Sequence, residues 1–100
     1  MGKVIFSIKY NIIPDKREEY LNIMSELRNL VKAEGLLEYS VYQQKNKNNR
    51  FEEIHIFDSV QSYENFEDSE DERVDILMTK LSDLILQNTT EYSTLVEITD

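Results

Sequence analysis

From Val4 to Ile13 the chain alternates between two sets of side chains. Val4, Phe6, Ile8, Tyr10 and Ile12 form one set, and Ile5, Ser7, Lys9, Asn11 and Ile13 the other. A period of two in β-branched and aromatic residues predicts a strand with one apolar and one mixed face. Pro14 stops it. From Pro14 to Gly35 the period changes: Tyr20, Ile23, Met24, Leu27, Leu30 and Val31 recur at three and four, the stripe of an amphipathic helix. Asp15 and Glu18 have the spacing of a capping box, and Gly35 suits a left-handed end to the helix. "LLEYSVYQQ" predicts a second strand, the asparagine-rich "KNKNNR" (Lys45 to Arg50) a hairpin loop, and "FEEIHIFD" a third strand. Ser59 opens a short helix ending near Phe66. A longer helix carries Val74, Leu77, Met78, Leu81, Leu84 and Ile85, with a break near Asp68–Glu70 between the two. "EYSTLVEIT" closes the chain as a fourth strand, with Tyr92, Thr94, Val96 and Ile98 on one side.

The order is β-α-β-β-α-β, which predicts an α+β, ferredoxin-like domain over residues 1–100. Its four-stranded antiparallel sheet has the order 4-1-3-2, with the helices on one face. Two amphipathic helices need a broad apolar surface beneath them. Val4, Phe6, Ile8 and Tyr10, with Leu37, Tyr39, Val41, Ile54 and Ile56, supply it. The opposite face then holds Ser7, Lys9, Glu38, Ser40, Tyr42, Glu53, His55, Phe57 and Leu95. That half-apolar surface fits a homodimer whose sheets face each other, with the helices outside.

A chain of 100 residues makes one small domain, and self-association would help it bury a core. Its net charge of −9 disfavours nucleic acid and anionic membrane as partners. It has no cysteine, hence no disulfide, thiolate nucleophile or thiolate-bound metal, which fits a cytoplasmic setting. No signal peptide is read at the start, and no run nears the roughly 18 apolar residues of a membrane span. "EDSEDERVD" lacks the glycine and spaced glutamate of a calcium loop and reads as a solvated acidic surface.

Candidate chemistry is sparse. His55 is the sole histidine. On a face between two sheets it reads as an interface residue bonded to a carboxylate; with acidic neighbours it could also serve as a general base. A pocket between sheet and helices would be lined by Phe6, Ile8, Tyr10, Tyr39, Ile54, Phe66 and Leu77. Tyr10 and Tyr39 would hydrogen-bond a flat ligand, with Asn65 or Ser69 at the mouth. The same side chains could instead fill that space as core.

"AEGLLEYSVYQQ" and "FEEIHIFDSVQSYENFEDS", with the element order of the whole chain, resemble the antibiotic biosynthesis monooxygenase-like family of dimeric α/β barrels. The family pattern in the second stretch is an acid, any residue and a tryptophan, then a short helix ending in histidine, with a serine three later. Here His55, Ile56 and Phe57 stand at the first part and Phe66 and Ser69 at the second, so aromatic character is kept more than polar chemistry. The resemblance implies a homodimer with a pocket in each subunit. Some members oxidise aromatic polyketides with no metal or flavin, and others degrade haem. The haem-degrading branch's asparagine, tryptophan and histidine fall at Ile8, Phe66 and Ile76, so haem is disfavoured and no cofactor is expected. The resulting expectation is a cofactor-independent monooxygenase-like protein acting on a small aromatic or quinone-type molecule. The alternative is a non-catalytic dimeric module that binds a small ligand or serves only as structure.

Overall fold

The alternating stretches do become strands, and the three-and-four stretches become helices. The structure, a computed structural model, describes residues 2–66 and 71–98. Along the chain run β1 (Val4–Asn11), α1 (Arg17–Leu30), β2 (Leu36–Gln43), β3 (Arg50–Phe57), α2 (Val60–Glu64), α3 (Glu72–Ser82) and β4 (Glu91–Val96). The sheet order is β2-β3-β1-β4, every pairing antiparallel, as the sequence predicts. The helices cover one face. Tyr20, Ile23, Met24 and Leu27 of α1 and Val74, Leu77 and Leu81 of α3 close a core over Tyr10, Ile12 and Phe51. The predicted break at Asp68–Glu70 and the first part of the acidic run lie outside the described residues.

Several local expectations are corrected. Asp15 does not cap α1: it takes a left-handed turn conformation, and Lys16 holds the cap position without a side-chain bond. The chain needs that turn because Ile13 N–H is already tied to the Leu84 carbonyl oxygen at 2.8 Å, and aspartate tolerates it. Gly35 is left-handed as expected, but it lies beyond the end of α1 and turns the chain into β2. Asn46 takes the left-handed position in the hairpin loop. Ser59 does cap α2, its side chain accepting from the Ser62 N–H at 3.1 Å.

The larger correction concerns β3. Its register against β1 sets Phe57 opposite Val4, His55 opposite Phe6, Glu53 opposite Ile8 and Phe51 opposite Tyr10. Directly opposed residues share a face, so Phe51, Glu53, His55 and Phe57 lie under the helices. Ile54 and Ile56 lie on the outer face beside Ile5 and Ser7. The sequence reading had placed these two sets the other way round. Burying Phe51 and Phe57 gains roughly 1.5–3 kcal/mol each, more than burying two isoleucines that keep partial cover on the outer face. The accompanying polar groups are not left unsatisfied, because each finds a partner.

Gly35 ties these pieces together. The Asp58 N–H donates to its carbonyl oxygen at 2.8 Å, and Ser62 Oγ donates to Asp58 Oδ1 at 2.6 Å. A Cβ on Gly35 would overlap Ser62 Oγ. Gly35→Ala is therefore expected to lose at least about 1–2 kcal/mol, the cost of the left-handed conformation alone, as measured by denaturant unfolding.

Candidate functional site

Glu53 and His55 are each only 3% exposed, in the middle of the helix-covered face. Register explains how a buried carboxylate is tolerated there. Glu53 stands opposite Ile8 on β1 and Val41 on β2, so Tyr10 and Tyr39 are its diagonal neighbours. The Tyr10 hydroxyl donates to Glu53 Oε2 at 2.6 Å, and the Tyr39 hydroxyl donates to Oε1 at 2.7 Å. Tyr10 and Tyr20 hydroxyl oxygens are 2.8 Å apart. A phenol has one hydrogen, and that of Tyr10 goes to Glu53, so Tyr20 donates to Tyr10. The carboxylate thus gathers β1, β2, β3 and α1 around itself. Burial pushes the Tyr10 phenol far above its ordinary range, and the Glu53 charge adds to the shift. Burial likewise raises Tyr20.

His55 sits among rings. Its ring centroid is 4.7 Å from that of Tyr39, 5.4 Å from Phe6 and 5.6 Å from Phe66. Its Nδ1 lies 3.3 Å from the Phe6 carbonyl oxygen. A carbonyl oxygen only accepts, so Nδ1 carries a hydrogen.

Over these residues lies a cavity of about 620 Å³. Phe6, Ile8, Tyr10, Glu53 and His55 form its floor, and Phe66 lines it from beyond α2. Asp75, Met78 and Leu81 of α3 make one wall; residues 85–88, Thr90 and Tyr92 make the other. Val4 and Tyr10, at opposite ends of β1's inner row, are fully buried, whereas Phe6 and Ile8 between them are half-buried because the cavity opens over them. Backbone bonds pin the rim: Leu86 N–H donates to the Asn11 carbonyl oxygen at 2.9 Å, and Ile12 bridges Ile85.

Of the residues expected at the site, His55, Tyr10 and Phe66 come together on the cavity. Tyr39 stands behind it and holds Glu53. Asn65 is the exposed C-cap of α2 and does not line the cavity, and Ser69 lies outside the described residues. Ile54 is on the outer face, and Leu77 points into the core between α1 and α3. Glu53 is the residue that sequence reasoning missed as part of the site. Its signal was available: Phe51, Glu53, His55 and Phe57 share one alternation, and a face that buries both phenylalanines buries what lies between them.

Comparison with known proteins agrees with this architecture. The family model described as antibiotic biosynthesis monooxygenase matches residues 3–73. The chain belongs to that family. The matched stretch runs from β1 into α3 and includes Tyr10, Tyr20, Tyr39, Glu53, His55 and Phe66, while most of the α3 wall and the rim beyond it follow the match. Solved structures share the fold. A conserved protein from Methanosarcina mazei has a TM-score of 0.76 at 20% identity, covering 95% of this chain and 92% of its own. A mutant of SnoaB, a cofactor-independent oxygenase from Streptomyces nogalater, has a TM-score of 0.75 at 12% identity, covering 100% and 97%. Rv0793 from Mycobacterium tuberculosis has 0.74 at 13% identity, covering 98% and 97%. At such identities the likeness is one of fold. No curated protein matches the sequence significantly. Among the described residues no helix is long and apolar enough to cross a membrane.

The phenol cluster makes a prediction of its own. Tyr10 and Tyr20 have pKa values raised above those of the unfolded chain, so folding keeps their protons on. That stabilisation is complete below the unfolded tyrosine pKa of about 10 and is lost as pH rises beyond it. Ultraviolet titration should find at least two tyrosines that ionise only as the protein unfolds, and unfolding free energy should fall steadily above about pH 10. A full tyrosinate signal from a still-folded protein would contradict the buried network.

Proposed function

We propose that the protein is a cofactor-independent monooxygenase-like enzyme acting on a small aromatic or quinone-type molecule held in this cavity. The observation that carries the reading is the pairing of an open cavity of mixed aromatic, aliphatic and polar lining with Glu53 and His55 side by side on its floor. Family membership supports it, as does the fold shared with a cofactor-independent oxygenase.

In such a reaction the substrate supplies the electrons. An activated ring carbon bearing two hydrogens loses a proton to a base and reacts with dioxygen. One oxygen atom stays as a carbonyl, and the other leaves as water with the two hydrogens. The protein's part is to take the proton, hold the ring and exclude water. His55 Nε2 is the base in this reading, and Glu53, fixed by Tyr10 and Tyr39, is the charge that stabilises the imidazolium formed. Phe6, Ile8 and Phe66 supply flat apolar contact.

The working form is a homodimer through the outer sheet face. Leu95, Ile5 and Ile56 stand opposite one another across β4, β1 and β3, and Ile54 lies one step along beside Ser7. Leu95 is 60% exposed in the single chain, and a second copy would cover this stripe. Light scattering should give twice the chain mass of 11.9 kDa, and Ile54→Glu should give single chains. A monodisperse monomer of the unsubstituted protein would refute the dimer.

Dioxygen uptake decides the activity. Anthrone, whose ring carbon bears two hydrogens, should be oxidised to anthraquinone and water faster with protein than without, and His55→Ala should slow the reaction by about a hundredfold or more. Binding of anthrone with no uptake above the protein-free rate would leave a non-catalytic ligand-binding module instead.

A further inference from the structure

We propose that the cavity selects its ligand by charge: it takes neutral or cationic aromatic molecules carrying a hydroxyl or amine donor, and rejects carboxylates, sulfates and phosphates of the same shape. The inference rests on the reading of the cavity as a site for aromatic ligands and narrows that ligand class.

The charged and titratable groups on the cavity wall are few. Besides the Tyr10 and Tyr92 phenols, Glu53 is on the floor, Asp75 is at the exposed mouth, and His55 stands beside Glu53; no lysine or arginine lines the cavity among the described residues. Even with the imidazole protonated, two carboxylates outnumber one cation. Nearby arginines are engaged elsewhere. Arg73 makes a forked bond to both Glu26 carboxylate oxygens, on the groove between α1 and α3. Arg50 bridges Asn11 and Glu91 at the far end of the strands. An anion entering the cavity would give up its water and meet carboxylates, with no cation to replace the lost hydration. The chain's net charge of −9 repels it before it arrives.

A neutral or cationic donor meets the opposite conditions. The floor offers a carboxylate held rigid by Tyr10 and Tyr39, so its field is fixed in position and does not relax away from the ligand. Phe6 and Phe66 present ring surface, which attracts flat apolar bodies and cations alike. The cavity, about 620 Å³, exceeds the volume of a two-ring molecule and leaves room for substituents.

The test uses the full chain and three probes of one shape: 2-naphthol, 2-naphthylmethylamine and 2-naphthoate, titrated by calorimetry and saturation-transfer NMR at neutral pH. Naphthol and the amine should bind, and naphthoate at least about tenfold more weakly. Glu53→Gln keeps the size and hydrogen-bonding capacity of the side chain and removes its charge; it should narrow the gap between naphthoate and naphthol several-fold. Asp75→Asn, at an exposed position that the fold does not need, should narrow it in the same direction even if Glu53→Gln proves unstable. Naphthoate binding as tightly as naphthol, or no probe binding at all, overturns the inference. Probes that bind in the expected order, with no dioxygen uptake on bound anthrone, leave charge selection standing and overturn only the oxygenase reading.

Discussion

A carboxylate in the middle of a buried sheet face is the constraint around which this molecule is arranged. Unpaired, Glu53 would cost several kcal/mol, a large part of the stability of a domain this size. Two phenols from the strands on either side remove that cost, and they reach it only because the registers put Tyr10 and Tyr39 one diagonal step away. A slip of one residue in either strand would send the phenol to the opposite face and leave Glu53 unpaired. The hydrogen bonds and the pairing register therefore specify each other. Tyr20 extends the same specification to α1, since its hydroxyl meets Tyr10 only when the helix is seated.

The cavity follows from where this cluster ends. Helix α1 packs over the end of the sheet that carries Tyr10, Phe51 and Ile12, where the core is closed. Toward Phe6 the cover passes to α3 and to the segment joining it to β4, which the Ile13–Leu84 and Leu86–Asn11 bonds hold against the end of β1. Thr89 strengthens the same tether, its hydroxyl accepting from Asn11 N–H and donating to the Leu86 carbonyl oxygen. The rim is thus fixed to the strand whose middle forms the floor. Space remains because the elements are anchored at the strand's end rather than over its centre.

Most of the fold was legible because periodicity and turn chemistry act locally. The strands, the helices and even the sheet order follow from alternation, from the three-and-four stripes and from the shortness of the β2–β3 connection. The capping of α2 by Ser59 was also readable from sequence. The cap of α1 was not: Asp15 has the right chemistry, but the tether of Ile13 to Leu84 takes the chain through a turn first, and that contact is distant in sequence. The face of β3 was misread for a related reason. "FEEIHIFD" offers two alternating sets, one with two isoleucines and one with two phenylalanines flanking a glutamate and a histidine. Polarity alone favours burying the isoleucines. What reverses the choice is the pair of tyrosines on other strands that can satisfy the glutamate, and no single-strand pattern contains them.

The same misreading hid the chemistry. Placed on the outer face, His55 is one polar residue in an interface, and Glu53 is only its neighbour. Placed under the helices, the two become the charged and titratable part of a cavity floor. The family pattern would put an acid where this chain has His55; here a carboxylate stands two residues earlier on the same face. A fold that hosts many activities does not choose among them, so the choice must come from side chains such as these. The phenols that hold Glu53 also tie up its oxygens, which suits it to act as a fixed charge more than as a proton acceptor. His55 turns Nδ1 to the Phe6 carbonyl oxygen from the same floor. In the proposed reading, two residues that look like a liability in the core divide between them the two tasks that proton removal from an aromatic substrate would require.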